Sequence, residues 1–244
     1  MDHKSRKNSY QRTKGKSKTI HQYILFAEGR NTEKSYFDLL KKANCKVMPV
    51  TRRGHGISQC VDFVDEALNS WKTMPDSEKE KYDKRWLVFD ADGRTDFDAA
   101  IKKARKLGFH VAFSNMCIEY WFVLHFESHS GKPIPMCGDS HSEAQIRMIN
   151  KHIESYNKKA KEPVALYDSG SKAVKEDFFD LMLAINPTTK RSRIVDAFER
   201  AKTMHEAKKQ KGAEFCESVT TIYELLTALG VINKTKKGYR LYCK

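Results

Sequence analysis

Between residues 23 and 126, short apolar runs alternate with amphipathic stretches, and this alternation constrains the chain more than any other feature. Tyr23–Ala27 is a continuous apolar run, which predicts a buried strand stopping at Glu28-Gly29. From Thr32 to Ala43, the apolar residues Tyr36, Phe37, Leu39, Leu40 and Ala43 recur at helical spacing. Residues 46–52 read as a second strand, broken by Gly54 and Gly56. Residues 57–71 read as a helix burying Cys60, Val61, Val64, Ala67, Leu68 and Trp71. A third strand is expected over 85–89 and a helix over 95–107, where Thr95 and Asp98 have the spacing of an approximate capping box. Gly108 ends that helix. A fourth strand over 109–113 and a short apolar helix over 117–126 complete the pattern.

Strands separated by helices of about a dozen residues predict an α/β fold, a parallel sheet with helices on its faces. In such sheets the chemistry gathers beyond the C-terminal strand ends. Those ends carry Glu28, Asp90 and Asp92. Strand side chains alternate, so Asp90 and Asp92 are expected to point the same way, and Glu28 joins them if the first strand neighbours the third. Carboxylates so placed repel one another and need a cation or shared protons. Hard oxygen donors of this kind suit Mg²⁺ or Mn²⁺ rather than zinc. The plainer alternative is that Asp90 caps a turn and Glu28 is a solvated strand end.

The charge balance bears on partners. Forty-five Lys and Arg against thirty-one Asp and Glu give a formal charge of +14, which favours polyanions such as nucleic acid, although anionic lipid and acidic proteins attract the same charge. Residues 1–21 hold seven basic side chains, Lys14, Lys16 and Lys18 among them, and read as a disordered basic arm able to hold a phosphate backbone. Arg52, Arg53 and His55 lie between a strand end and a helix start, either as a phosphate-holding turn or as a charged surface turn. Residues 22–126 form the expected α/β core and 127–244 a mainly helical region packed on it. Helices are expected there over 142–156, 172–183, 191–209 and 219–229, with a terminal hairpin over 231–242.

Several classes lack their signals. The longest apolar stretches, 23–27 and 120–126, fall far below the roughly 20 residues of a spanning helix, and the basic N-terminus lacks the apolar core of a secretory signal. Six cysteines with no CxxC pair read as reduced thiols, which points to a cytoplasmic protein. His125, His129, Cys137 and His141 form a run with gaps compatible with zinc, but without the paired cysteines of structural zinc sites. No P-loop, GxSxG or GxGxxG occurs. Trp121 and Phe122 read as core rather than as a base-stacking platform.

Three segments also resemble a known family. "YILFAEGRNTEKSYF" (23–37) is similar to the first motif of Toprim domains: an apolar strand, Glu-Gly, then a second acid opening a helix. "WLVFDADGRTDFDAAIKKA" (86–104) resembles the Toprim DxD motif. "FHVAFSNMCIEYWFVLHF" (109–126) resembles the strand-SN-x-x-x-E-x-W-x-x-x-H-F signature of the RloB-like proteins, a Toprim-related family of bacterial anti-phage abortive-infection systems. "ESVTTIYELLTAL" (217–229) is weakly similar to that family's end, and Met116 stands where the family often has proline.

The resemblance implies a Toprim-like sheet and a metal-dependent nuclease. It carries Glu28, Asp90 and Asp92 over as metal or catalytic residues, with Mg²⁺ or Mn²⁺ as cofactor. Glu33 is implied as the second acid and Glu119 as a further catalytic acid. The plainer reading of both is an acid favoured by a helix N-terminus. A toxic effector cutting DNA or RNA, tRNA included, is the expectation, with an ABC- or SMC-like ATPase as partner. A topoisomerase is not expected, because a chain of this length leaves little room for a tyrosine-bearing cleavage domain. The competing class is a non-catalytic module that senses nucleic acid or a nucleotide for a partner ATPase. The oligomeric state is open, a homo-oligomer included.

Overall fold

Alternate residues of each central strand belong to two different cores. Tyr23, Leu25 and Ala27 pack on one side with Trp86, Val88 and Ala112, while Ile24 and Phe26 pack on the other with Leu87, Phe89, Val111 and Phe113. A sheet buried on both faces needs helices on both, and this period-two division of nearly unbroken apolar runs produces a three-layer α/β/α arrangement. The computed structural model describes residues 22–43, 48–53, 59–135, 142–236 and 238–242.

In chain order the elements begin β1 (Gln22–Ala27), α1 (Thr32–Ala43), β2 (Met48–Arg53), α2 (Cys60–Thr73), α3 (Asp76–Lys79), β3 (Lys84–Asp90), α4 (Phe97–Lys106) and β4 (His110–Asn115). There follow α5 (Glu119–Val123), α6 (Glu143–Asn157), α7 (Glu176–Leu183), α8 (Arg193–Gln210), β5 (Val219–Thr220), α9 (Ile222–Ala228), β6 (Ile232–Thr235) and β7 (Gly238–Leu241). The main sheet runs β2-β1-β3-β4-β5, parallel except for β5, and β6 and β7 form a separate hairpin.

One face is covered by α2 and α4, through Phe63, Val64, Ala67, Phe97, Ile101 and Ala104. The other is covered by α1 through Tyr36, Phe37 and Leu40, and onto this layer pack α5 to α9. Trp121 and Phe122 are fully buried there, as the sequence predicts, and each such side chain contributes about 1.5–3 kcal/mol by leaving water.

The strand order places the site. The chain steps from β1 outward to β2, then returns across β1 to β3, so the direction of winding reverses between β1 and β3. Connections diverge at such a point and leave a crevice beyond the C-terminal strand ends. Glu28 immediately follows β1 and Asp90 ends β3, one on each side of that crevice.

Four local expectations are corrected. Asp96 rather than Thr95 precedes α4, and its carboxylate accepts from Cys60 N and Val61 N (3.2 and 2.7 Å), capping α2 across the layer. The helix expected over 219–229 instead starts at Ile222. Val219 and Thr220 extend along β4, where Thr220 Oγ1 lies 2.9 Å from Ser114 Oγ. The helix expected from Lys172 starts at Glu176, and residues 168–174 are loop. The connection before β3 contains the short helix α3. No helix among the described residues is long and apolar enough to cross a membrane.

Candidate active site

Glu28, Glu33, Asp90, Asp92 and Glu119 all line one cavity of about 670 Å³ at the β1–β3 crevice. Each arrives by a different local device. The Glu28 amide continues the parallel ladder by donating to Val88 O at 3.0 Å, which aims its side chain past the strand end. There Oε2 accepts from Asp90 N at 3.4 Å and Oε1 meets Arg94 Nη1 at 2.5 Å. Asp90 Oδ2 accepts from Ile118 N at 2.8 Å, tying β3 to the entry of α5.

Asp92 lies outside the strand, so simple alternation does not orient it. It sits in a turn at φ 45, its amide donating to Met116 O at 2.9 Å across a cis Asn115–Met116 peptide, with half its side chain exposed. Glu33 is buried in the first turn of α1, folded back over Gly29. Glu119 opens α5, buried, with Oε1 3.3 Å from the Tyr167 hydroxyl.

The electrostatics follow from this crowding. Burial pushes Glu28 up despite the Arg94 guanidinium beside it. Burial, reinforced by the charges of Glu119 and Glu28, raises Glu33 to about 7. Asp90 is held well above the usual carboxylate range by burial and by repulsion from Glu33, Glu119 and Glu28. Burial also raises Glu119, against the pull of Lys172. Tyr167 OH lies 3.0 Å from Lys172 O as well as 3.3 Å from Glu119, and one hydroxyl proton serves one acceptor. A proton on Glu119 satisfies both contacts, in agreement with its raised pKa.

Sequence reasoning missed Arg94, Lys172 and Tyr167. Arg94 stands in the quoted DxD segment and bridges Glu28, Asp92 (3.8 Å) and Cys60 Sγ (3.5 Å). Lys172 comes from the loop that was expected to be helix, and its Nζ donates to Ser142 Oγ at 2.8 Å. The available signal was Asp168-Ser-Gly-Ser-Lys172, a turn-forming run ending in a cation.

Other expected residues fall elsewhere. Arg52 pairs with Glu78 and lines a separate cavity with Phe26 and Phe63. Arg53 ends β2, while His55, Lys14, Lys16 and Lys18 lie outside the described residues. In the zinc-like run, His125 is buried with Nδ1 3.0 Å from Trp121 O and a pKa lowered by burial to about 3. His129 Nδ1 accepts from Gly131 N at 3.2 Å, and Cys137 and His141 are outside the described residues.

Among the described residues, no three His, Cys, Asp or Glu side chains are grouped to hold a metal ion in this conformation. The donor chemistry nonetheless fits Mg²⁺ or Mn²⁺. The cavity offers hard oxygens, and burial, with mutual repulsion at Glu33 and Asp90, disfavours the charged form of these acids, a cost that a bound cation would offset.

A family model described as RloB-like protein matches residues 23–229, most of the chain. No curated protein and no solved structure matches.

Proposed function

This chain belongs to the RloB-like family, and on that premise we propose that its carboxylate cavity is the active site of a Mg²⁺- or Mn²⁺-dependent nuclease. The observation that carries the reading is the convergence of five carboxylates on one cavity at the point where the sheet reverses its winding. Its substrate is DNA or RNA, tRNA included, and its role is that of a toxic effector in anti-phage defence. No P-loop is present in the sequence, so any ATP dependence comes from a partner ATPase of the ABC or SMC-like kind. We place the protein in the cytoplasm.

Glu28, Asp90 and Asp92 would hold the metal, which when bound polarises a phosphoryl oxygen and lowers the pKa of an attacking water. Glu33, raised to about 7 by burial and the neighbouring carboxylates, would serve as the base for an attacking water. As the phosphorus–oxygen bond breaks, the leaving oxygen takes its proton from Glu119. The Tyr167 hydroxyl orients Glu119 for that transfer.

One observation favours a second reading. Arg94 engages Glu28, and no metal-holding trio is formed among the described residues, as expected of a pocket that senses a nucleotide or nucleic-acid end without cutting. Calorimetric titration with Mn²⁺ beside a cleavage screen over duplex DNA, messenger RNA and transfer RNA separates the two. Metal binding with turnover supports the nuclease; binding of nucleic acid without turnover of any substrate supports the sensor.

A further inference from the structure

Lys172 is the cation that the C-terminal half brings to the carboxylate cavity, and the chemistry above leaves it without a task. Its placement is built by tertiary contacts. The backbone at Lys172 is left-handed, φ 49, a conformation that costs a non-glycine residue about 1 kcal/mol or more. Side chains of α1 and its entry hold the loop there. Asn31 Nδ2 donates to Ser171 O (2.9 Å), Thr32 Oγ1 donates to Lys172 O (2.8 Å) and Ser35 Oγ accepts from Val174 N (2.9 Å). Asp168 occupies the neighbouring amides, accepting from Gly170 N and Ser171 N at 3.0 Å and from Lys172 N at 2.9 Å. What the loop offers the cavity is therefore the ammonium rather than a cradle of backbone N–H groups.

Three cations line the cavity, Arg30, Arg94 and Lys172, and the latter two are held differently. Arg94 is engaged by two carboxylates, Glu28 and Asp92. The Lys172 ammonium donates to a neutral hydroxyl, Ser142 Oγ, which uses one of its three N–H bonds. A polyanion entering the cavity meets repulsion from those of its acids that are ionised. A fixed cation in the lining of the same cavity offsets part of this.

We propose that Lys172 is a phosphate-contacting residue: its ammonium binds a phosphodiester oxygen of the polynucleotide beside the strand-end carboxylates. It thereby positions the strand without reading its sequence. The identity of the ligand rests on the nuclease reading; the assignment of the contact rests on the loop.

The test is binding of short fluorescein-labelled RNA and DNA oligonucleotides to the full chain, at several salt concentrations, with Ca²⁺ as the divalent ion. Lys172→Ala is expected to weaken binding by about tenfold and to reduce the log–log salt slope by about 0.7–0.9, with Lys172→Arg within about threefold of wild type. If Lys172→Ala lowers the melting temperature sharply, Lys172→Gln, which retains a donor for Ser142 without the charge, carries the same comparison. Lys172 also faces Glu119, so the substitution is repeated in a Glu119→Gln background. An equal loss there supports direct phosphate contact, whereas no loss shows that Lys172 acts only as the counter-charge of Glu119 and overturns the proposal. Unchanged affinity and slope overturn it too, as does a wild-type chain that binds none of the oligonucleotides. Cleavage with Mn²⁺ is scored separately. A wild type that cleaves, beside a Lys172→Ala variant that binds normally, removes this proposal and leaves the nuclease reading standing.

Discussion

The Glu33 carboxylate occupies the space that a side chain at Gly29 would need: a methyl group built on Gly29 would come within 1.7 Å of Glu33 Oε2. Glu-Gly at the end of the first strand is thus a packing relationship as well as a motif. The missing Cβ lets a buried acid fold back over the strand end and join the cavity.

Gly29→Ala is therefore expected to expel Glu33 from its position. The overlap cannot be relieved by a few tenths of an ångström, so the variant should lose about 1–3 kcal/mol of stability, as overpacked sites do, with its far-UV circular dichroism unchanged. Thermal denaturation checks this. A variant as stable as wild type would mean that Glu33 has another place to go.

Glu33 also gives the protein a pH dependence of defined sign. The folded chain holds this proton up to about pH 7, against 4.5 for an ordinary glutamate. Between those values the folded state binds more protons than the unfolded state, so unfolding free energy falls as pH rises. The contribution is complete below pH 4.5 and is lost as pH passes through 7, an effect on the order of 3 kcal/mol. Melting temperatures between pH 5 and 8 without divalent ions should fall less steeply for Glu33→Gln than for wild type. Parallel curves would show that Glu33 titrates normally.

Arg94 competes with any cation for Glu28, the two side chains being 18% and 12% exposed. Arg94→Ala should lower stability in the absence of divalent ions, because it leaves a largely buried carboxylate without its partner. It should also tighten Mn²⁺ binding by freeing Glu28. Calorimetry on the variant decides; weaker Mn²⁺ binding would mean that Arg94 orders the site rather than blocks it.

The sequence reading located the sheet and the acids because both depend on short-range pattern. Tyr23–Ala27 and the apolar run ending at Asp90 are buried on both faces, which leaves strand as their reading and puts Glu28 and Asp90 at strand ends. Asp92 reaches the cavity through a left-handed turn rather than through strand alternation, so its membership was anticipated for a different geometric reason. Lys172 could not be found that way. The run Asp168-Ser-Gly-Ser before it marks a turn but not a cavity wall, and it is hydrogen bonding with Asn31, Thr32 and Ser35, about 140 residues earlier, that holds the segment at the site. Val219-Thr220 was misread for the same kind of reason. The β4 edge, with Ser114 and Asn115, recruits it as a strand.

The basic composition of residues 1–21 yields a prediction independent of the cavity. Removing residues 1–21 takes away seven Lys and Arg, so polynucleotide affinity should weaken and the salt dependence should flatten. Mn²⁺ binding should be retained. Binding measured at two salt concentrations checks this; unchanged affinity and slope would show that the arm makes no phosphate contacts.

The activity we propose for the strand-end carboxylates is cleavage of nucleic acid with a divalent cation. It is tested most directly by the cleavage rate of labelled DNA and RNA in Mn²⁺, with wild type, Glu28→Ala and Asp90→Ala purified and assayed side by side. Wild type should cut at least one substrate and stop on addition of a chelator, and each variant should fall by about a thousandfold or more, consistent with loss of metal-assisted catalysis. Cleavage at equal rates by wild type and both variants, or no cleavage of any polynucleotide by wild type, would contradict it.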